Sequence, residues 1–176
     1  MPLNGRIAAV APHGVLFRGA AEGRIRQRVI EENLLDAVIG LPENLFYGTS
    51  IPACILVLKK ERDKNDVLFI DASGKDENGN LRYKKEKKQN VLEEKNIDDI
   101  IKAYLDRKDI DKFAHVATVE EIKNNGYNLN IPRYVDTFEE EELIDIEEVQ
   151  NNIARLKVEI AEAEKQMEQY LKELGL

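Results

Sequence analysis

VIGLPENLFYGTSIPACILVL, residues 38–58, decides how the rest of the chain is read. It is an apolar run, a loop and a second apolar run. The first run, Leu35 with Ala37 to Ile39, leads into Gly40 and Pro42. The second, Ile51 to Leu58, is long enough for a strand buried on both faces. The loop between them sets Phe46 and Tyr47 side by side, followed by Gly48, Thr49 and Ser50. Aromatics where two buried strands join at one end of a sheet often line a binding site. By pattern alone the plainer expectation is that they plug the end of the core, as most loop aromatics do.

Toward the N-terminus, Arg6 to Ala11 reads as a buried strand ended by Pro12, with almost no chain before it to supply neighbours. His13-Gly14 makes a turn, and Arg18-Gly19 a loop. Ala20 to Glu32 reads as a helix with Ile25 and Val29 on its buried face and Arg24, Arg26 and Arg28 on solvated ones. Strand, helix, strand forms a βαβ unit, which implies a parallel pair. The loop before Ile51 is too short for another crossover helix, so Ile51 to Leu58 runs antiparallel to the strand before it or leaves the sheet.

Toward the C-terminus, Val67 to Asp71 is a further strand. Residues 72–89 lack periodicity and are rich in Gly, Asn, Asp and Lys, which predicts an exposed loop or hairpin. Arg82, Lys84, Lys85, Lys87 and Lys88 surround Tyr83, a pattern that suits a phosphate backbone or simply a solvated turn. Asn96 is a helix N-cap candidate, with Ile97, Ile100, Ile101 and Leu105 as the buried face. Phe113 to Val119 reads as a strand with His115 on its surface and no evident partner. Thr118 and Glu121 have capping-box spacing for a short helix ending at Gly126. Tyr127 to Val135 alternates, and Pro132 places it at a sheet edge or in an extended segment.

The tail has the clearest period. Ile146, Val149, Ile153, Leu156, Ile160, Ala163, Met167, Tyr170 and Leu174 follow steps of three and four. A helix of roughly 30 residues would be about 45 Å long. Its seam calls for a partner (a second copy, another protein or a helix of its own chain), the alternative being an amphipathic helix lying on its own domain.

Composition excludes several classes. No apolar run approaches membrane-spanning length. Two histidines and one cysteine are too few for a zinc site, so no metal is expected. Cys54, inside an apolar run, is expected as a buried free thiol in a reducing, cytoplasmic compartment. The net charge is −8, yet residues 136–176 carry 13 acidic and 4 basic side chains, so the first 135 residues are near neutral. The acidity belongs to the tail and does not bar the rest from nucleic acid.

The segments GRIAAVAPHGVLFRG, IRQRVIEENLLDAVIGLPENLFYGTSIPACILVL and VLFIDAS, the pair Gln89-Asn90, and YNLNIPRYVD resemble the C-terminal part of a type I restriction-modification M (modification) subunit. The resemblance runs from Asn4 to Asp136, with a tail similar in kind. That family comprises S-adenosylmethionine-dependent DNA adenine-N6 methyltransferases. It implies an α/β fold. Residues 1–72 would supply the later strands and a helix of a Rossmann-like methyltransferase sheet. Residues 73–136 would be a basic loop and small α/β extension, and 137–176 a long C-terminal coiled-coil helix. The family's F-x-G-x-G cofactor motif and N-P-P-F target-adenine motif are both absent. They would lie before Met1, as would the family's helical N-terminal domain. The resemblance therefore implies a fragment that is inactive alone and binds no cofactor by itself.

In the complete enzyme it assigns Phe46, with Tyr47 as neighbour, to stacking on the flipped adenine. Arg18, Lys84, Lys85, Lys87 and Lys88 are candidate contacts to double-stranded DNA. The tail seam would dock on the specificity (S) subunit, in a complex with a second M subunit and the restriction (R) subunit, or pair in a homo-oligomer. The competing expectation is a stand-alone α/β interaction module that dimerises through its tail.

Overall fold

The computed structural model describes residues 4–136 and 146–173. The chain divides into two units, Met1–Phe138 and Glu139–Leu176. The first holds a five-stranded mixed sheet. Its strands are β1 (Arg6–Pro12), β2 (Leu35–Gly40), β3 (Ala53–Lys59), β4 (Asp66–Asp71) and β7 (Ala114–Thr118), in the order β1-β3-β2-β4-β7. A two-residue hairpin pairs β5 (Lys84–Lys85) with β6 (Asn90–Val91). The helices are α1 (Ala20–Glu31), α2 (Glu94–Asp106) and α3 (Val119–Asn124). The second unit is α4 (Ile146–Glu173).

β2 and β4 are apolar on both faces because both faces are covered. Val38, Val67 and Phe69 belong to a core with Leu16, Ile30, Ile122, Leu129 and Tyr134. Ala37, Ile39, Leu68 and Ile70 belong to a second core with Ala103 and Phe113. Alternation along each strand thus feeds two layers. A register shift between Leu35 and Ala37 lets Leu35 and Val38 share one layer despite their odd spacing. Each such side chain contributes roughly 1.5–3 kcal/mol on burial.

Several expectations change. β1 and β2 do point the same way, but β3 lies between them, antiparallel to both, so they are not paired. β1 is an edge strand paired on one side only, and its Ile7 and Val10 are 43% and 60% exposed. Its apolar composition is that of a central strand. In α1 the buried residue is Ile30, and Ile25 is exposed. α2 begins three residues early, at a Glu93–Asn96 capping box, and it buries Ala103 with Ile100 and Tyr104 partly covered. Ile97, Ile101 and Leu105 face outward.

Tyr127 to Val135 is not a strand. Positive φ at Gly126 and Tyr127, an Asn130 N–H bond to Asn128 Oδ1 and a 3-10 turn over Ile131–Arg133 satisfy its backbone locally. This segment instead caps the sheet, with Tyr134 stacked on Phe69 at 3.9 Å.

At the amino ends of β2 and β4 sits a buried ionic cluster. Arg62 donates to Asp36 Oδ1 at 2.9 Å, to Asn33 Oδ1 at 2.8 Å and to the carbonyls of Leu35 and Asp66. Arg107, at the α2 C-cap, binds Asp66 Oδ1 at 2.6 Å, and the Tyr104 hydroxyl donates to Asp36 Oδ2 at 2.5 Å. These bonds fix α2 and the 60–66 turn to the sheet.

Candidate functional site

The register Pro12↔Ala53, Gly40↔Cys54 and Gly40↔Asp71 puts the carboxyl ends of β1, β2 and β4 at one edge. The connections 13–19, 41–52 and 72–93 leave the sheet there. In open α/β sheets this is where ligands bind.

The loop 41–52 is anchored at both feet. The Leu41 N–H donates to Ala53 O at 2.9 Å, extending the β2–β3 ladder past Gly40. On the other side His13 donates from its backbone to Pro52 O at 3.4 Å and lies 2.9 Å from Ala53 O through Nε2, which carries the proton in that bond. Asn90 is buried. Its backbone N–H and its Nδ2 both donate at 2.7 Å, to Asn44 O and Glu43 O respectively. At the tip, Thr49 Oγ1 accepts the Ile51 N–H at 3.2 Å, and Gly48 takes φ +77°, a conformation costly for other residues.

This frame sets where the aromatics go. Leu45, half-buried, packs against the core layer that α2 covers. The next residue, Phe46, is 43% exposed, and Tyr47 is 88% exposed. They do not plug the core. Phe46 instead borders a shallow depression of about 250 Å³ shared with Val10, Pro12, Thr49, Ile51 and Pro52.

Around this rim lie the basic residues. Arg18 is exposed, with its nearest carboxylate, Glu22, 4.0 Å away. Lys84 pairs with Glu93 at 3.4 Å and Glu86 at 3.7 Å. Lys85, Lys87 and Lys88 are exposed. None of their ammonium groups has an ion pair among the described residues. Lys87 and Lys88 occupy the hairpin turn closed by the Glu86 N–H to Gln89 O bond of 3.0 Å.

Arg82 belongs to the fold. It lies 3.9 Å over the Phe113 ring and donates to Lys75 O, and burial lowers its pKa. Arg26 is also structural, contrary to its expected place on a solvated face. It donates to the carbonyls of Val15, Arg18 and Tyr127, and burial lowers its pKa against the pull of Glu22. His115 is not alone: Asp109 and Glu121 flank it at 3.2 Å.

The residues sequence reasoning missed are His13 and Asn90. Neither belongs to a motif whose chemistry names its role. Asn90 had one signal, a polar residue inside the Gln89-Asn90 pair ending a lysine run.

A nucleoside-type cofactor needs glycine-rich backbone at strand ends. Here the turns hold only isolated glycines, Gly14, Gly19 and Gly40, the last closed off by Ile131, among buried Leu16, Leu41 and Pro42. The residues present do not fit such a group. Among the described residues no three metal-ligating side chains come together, and no helix is long and apolar enough to cross a membrane.

Along α4 the seam residues Ile153, Leu156, Ile160, Met167 and Tyr170 are 48–63% exposed. Ala163 is exposed too. Ile146 and Val149 lie within the helix, and Leu174 falls outside the described residues.

Residues 2–143 match the family model for N-6 DNA methylase. The chain is 40% identical to the type I restriction enzyme MjaVIII methylase subunit of Methanocaldococcus jannaschii, over 94% of this chain and 28% of that protein. It is 36% identical to the MpnII methylase subunit of Mycoplasma pneumoniae, over 97% and 30%. A crystal structure of a type I restriction-modification methyltransferase subunit from Streptococcus thermophilus superposes with a TM-score of 0.71 at 55% identity. That match covers 76% of this chain and 27% of that one. This chain thus spans less than a third of each of these relatives.

Proposed function

Because this chain belongs to the N-6 DNA methylase family, we propose that it is the C-terminal portion of the modification subunit of a type I restriction-modification system. In the complete enzyme its rim receives the target adenine. Phe46 stacks on the extruded base, Tyr47 flanks it, and Arg18 with Lys84, Lys85, Lys87 and Lys88 contacts DNA phosphates. The observation that carries this reading is the step between Leu45 and Phe46: one side chain is half-buried against the core, the next is exposed, on a doubly anchored loop beside unpaired lysines.

The chemistry fits. Enzymes that act on a base extrude it from the duplex and stack it on an aromatic side chain. Such stacking is worth roughly 1–3 kcal/mol per base. Methyl transfer also needs the donor aligned with the adenine amine. S-adenosylmethionine and the groups that orient the amine belong to the part of the enzyme outside this chain, so the chain by itself transfers no methyl group. In the whole subunit the sheet is Rossmann-like and continues beyond β1, whose composition suits a central strand.

The test is Phe46→Ala in the complete methyltransferase, with 2-aminopurine at the target position. The reading expects a loss of the fluorescence rise that reports base extrusion, and roughly 5- to 150-fold weaker capture of the base. An unchanged signal would end the reading.

The exposed seam of α4 favours an added role. It docks, as a coiled coil, on helices of the specificity subunit in a complex with a second modification subunit and the restriction subunit. The second reading, an interaction module that dimerises through α4, rests on the same seam. Sedimentation of the isolated chain separates them: a monomer that binds the specificity subunit supports the first, a tight homodimer the second.

A further inference from the structure

The lysine hairpin and the Phe46 loop are far apart in sequence, and one buried residue joins them. Asn90 sits in β6 directly opposite Lys85. Its backbone N–H and its Nδ2 donate to consecutive carbonyls of the loop, Asn44 O and Glu43 O, both at 2.7 Å. Asn44 has φ +52°, which turns its carbonyl toward the hairpin two residues before Phe46. Asn90 is only 6% exposed, so water cannot readily replace either bond. Neither core cluster includes it.

We infer that Asn90 is a positioning residue that locks the Phe46 loop and the lysine-tipped hairpin into one rigid rim. Phosphate contacts made at Lys87 and Lys88 then fix the height and angle of Phe46. An Ala or Asp at 90 removes the Nδ2 bond to Glu43 O, keeps the backbone bond to Asn44 O, and so loosens the coupling. Asp is isosteric but presents an acceptor to the Glu43 carbonyl. The inference deepens the base-receiving reading and rests on it.

The test has two arms. In the first, the 176-residue chain with Asn90→Ala or Asn90→Asp is nicked with chymotrypsin, which cuts at Phe46 and Tyr47, and separately with trypsin, which cuts at Lys87 and Lys88. Loss of a buried hydrogen bond raises local opening about tenfold, so both nicks should accelerate about tenfold together. The strands should stay uncut. If neither nick accelerates, or only one does, the inference is overturned. Should Asn90→Ala fail to fold, the isosteric Asn90→Asp decides.

In the second arm, Asn90→Asp in the complete methyltransferase should raise KM for DNA about tenfold without changing affinity for S-adenosylmethionine. Phe46→Ala runs in parallel. If Phe46→Ala is silent, the base-stacking reading fails, and the nicking arm still judges the clamp. If Phe46→Ala is effective and Asn90→Asp is silent, the clamp does not position the rim and the inference falls.

Discussion

Replacing Arg62 with alanine should cost this domain a large part of its stability, and the ionic cluster says how much. The Arg62 side chain is 4% exposed and that of Asp36 7%. Removing the guanidinium leaves the Asp36 carboxylate buried with the Tyr104 hydroxyl at 2.5 Å and Arg107 Nη1 at 3.4 Å. It also strips donors from the carbonyls of Leu35 and Asp66. Breaking a buried pair from one side typically costs roughly 3–5 kcal/mol, against roughly 5–15 kcal/mol for a whole domain.

The pair as a unit is a different matter. Desolvation, helped by repulsion from Arg107, lowers the pKa of Arg62 in spite of Asp36 and Asp66, so burial is the largest influence there. Asp36→Asn with Arg62→Met should therefore recover much of the single-variant loss. Urea unfolding followed by far-UV circular dichroism suits a chain with no tryptophan. With m near 1–3 kcal/mol/M, Arg62→Ala should lower the midpoint by roughly 2 M. As a control, Arg28→Ala removes a 2.7 Å pair whose side chains are 80% and 49% exposed, and it should change nothing measurable. A midpoint shift under about 0.5 M for Arg62→Ala, with m unchanged, would refute the reasoning.

Alkaline pH should destabilise the fold. Burial pushes the Cys54 thiol up to about 11 from 9.0 and the Tyr134 hydroxyl up to about 12 from 10.0. Each group ionises first in the unfolded chain, so its contribution is intact below pH 9 and is lost on the way to pH 12; a flat urea midpoint across that range would contradict this. Native Cys54 should also ignore thiol reagents at neutral pH until the chain unfolds, and prompt labelling would show that the strand opens. Lys85, Lys87 and Lys88 changed together to Gln in the complete enzyme should flatten the log–log salt dependence of DNA binding by roughly 2–3; an unchanged slope removes them from the interface. Ile153→Asp with Ile160→Asp should abolish copurification with a specificity subunit, and persistent copurification would exclude the seam. Calorimetry of the chain with S-adenosylmethionine should show no binding, and a stoichiometric tight site would overturn the division of labour proposed here.

Local pattern reached far in this chain. The strands at 35–40, 53–59 and 66–71 and the Thr118 cap are all written in neighbouring residues, and of the two courses open to the strand after the 41–52 loop the structure takes the antiparallel one. The α4 period is too. Such features arise from interactions within a few residues, and those are what a linear pattern records. The face of a helix was less legible. α1 was expected to bury Ile25, and α2 Ile97, Ile101 and Leu105, and all four are exposed. An apolar stripe shows that a helix has something to cover; it does not show which part of the stripe the sheet reaches.

The stretch 38–58 shows the same division. Sequence alone determined that two apolar strands flank an aromatic loop, because apolar runs are local properties. It did not show that the second, β3, starts only at Ala53, leaves Ile51 exposed and buries only Ala53 and Cys54. Only the tertiary structure decided that Leu45 packs half-buried against the core and Phe46 is exposed. It also inserted β3 between β1 and β2, left β1 at the edge, and brought Asn90 across 46 positions to the Asn44 carbonyl. Those outcomes depend on which distant backbone groups need partners when the sheet closes, and no local pattern carries that information.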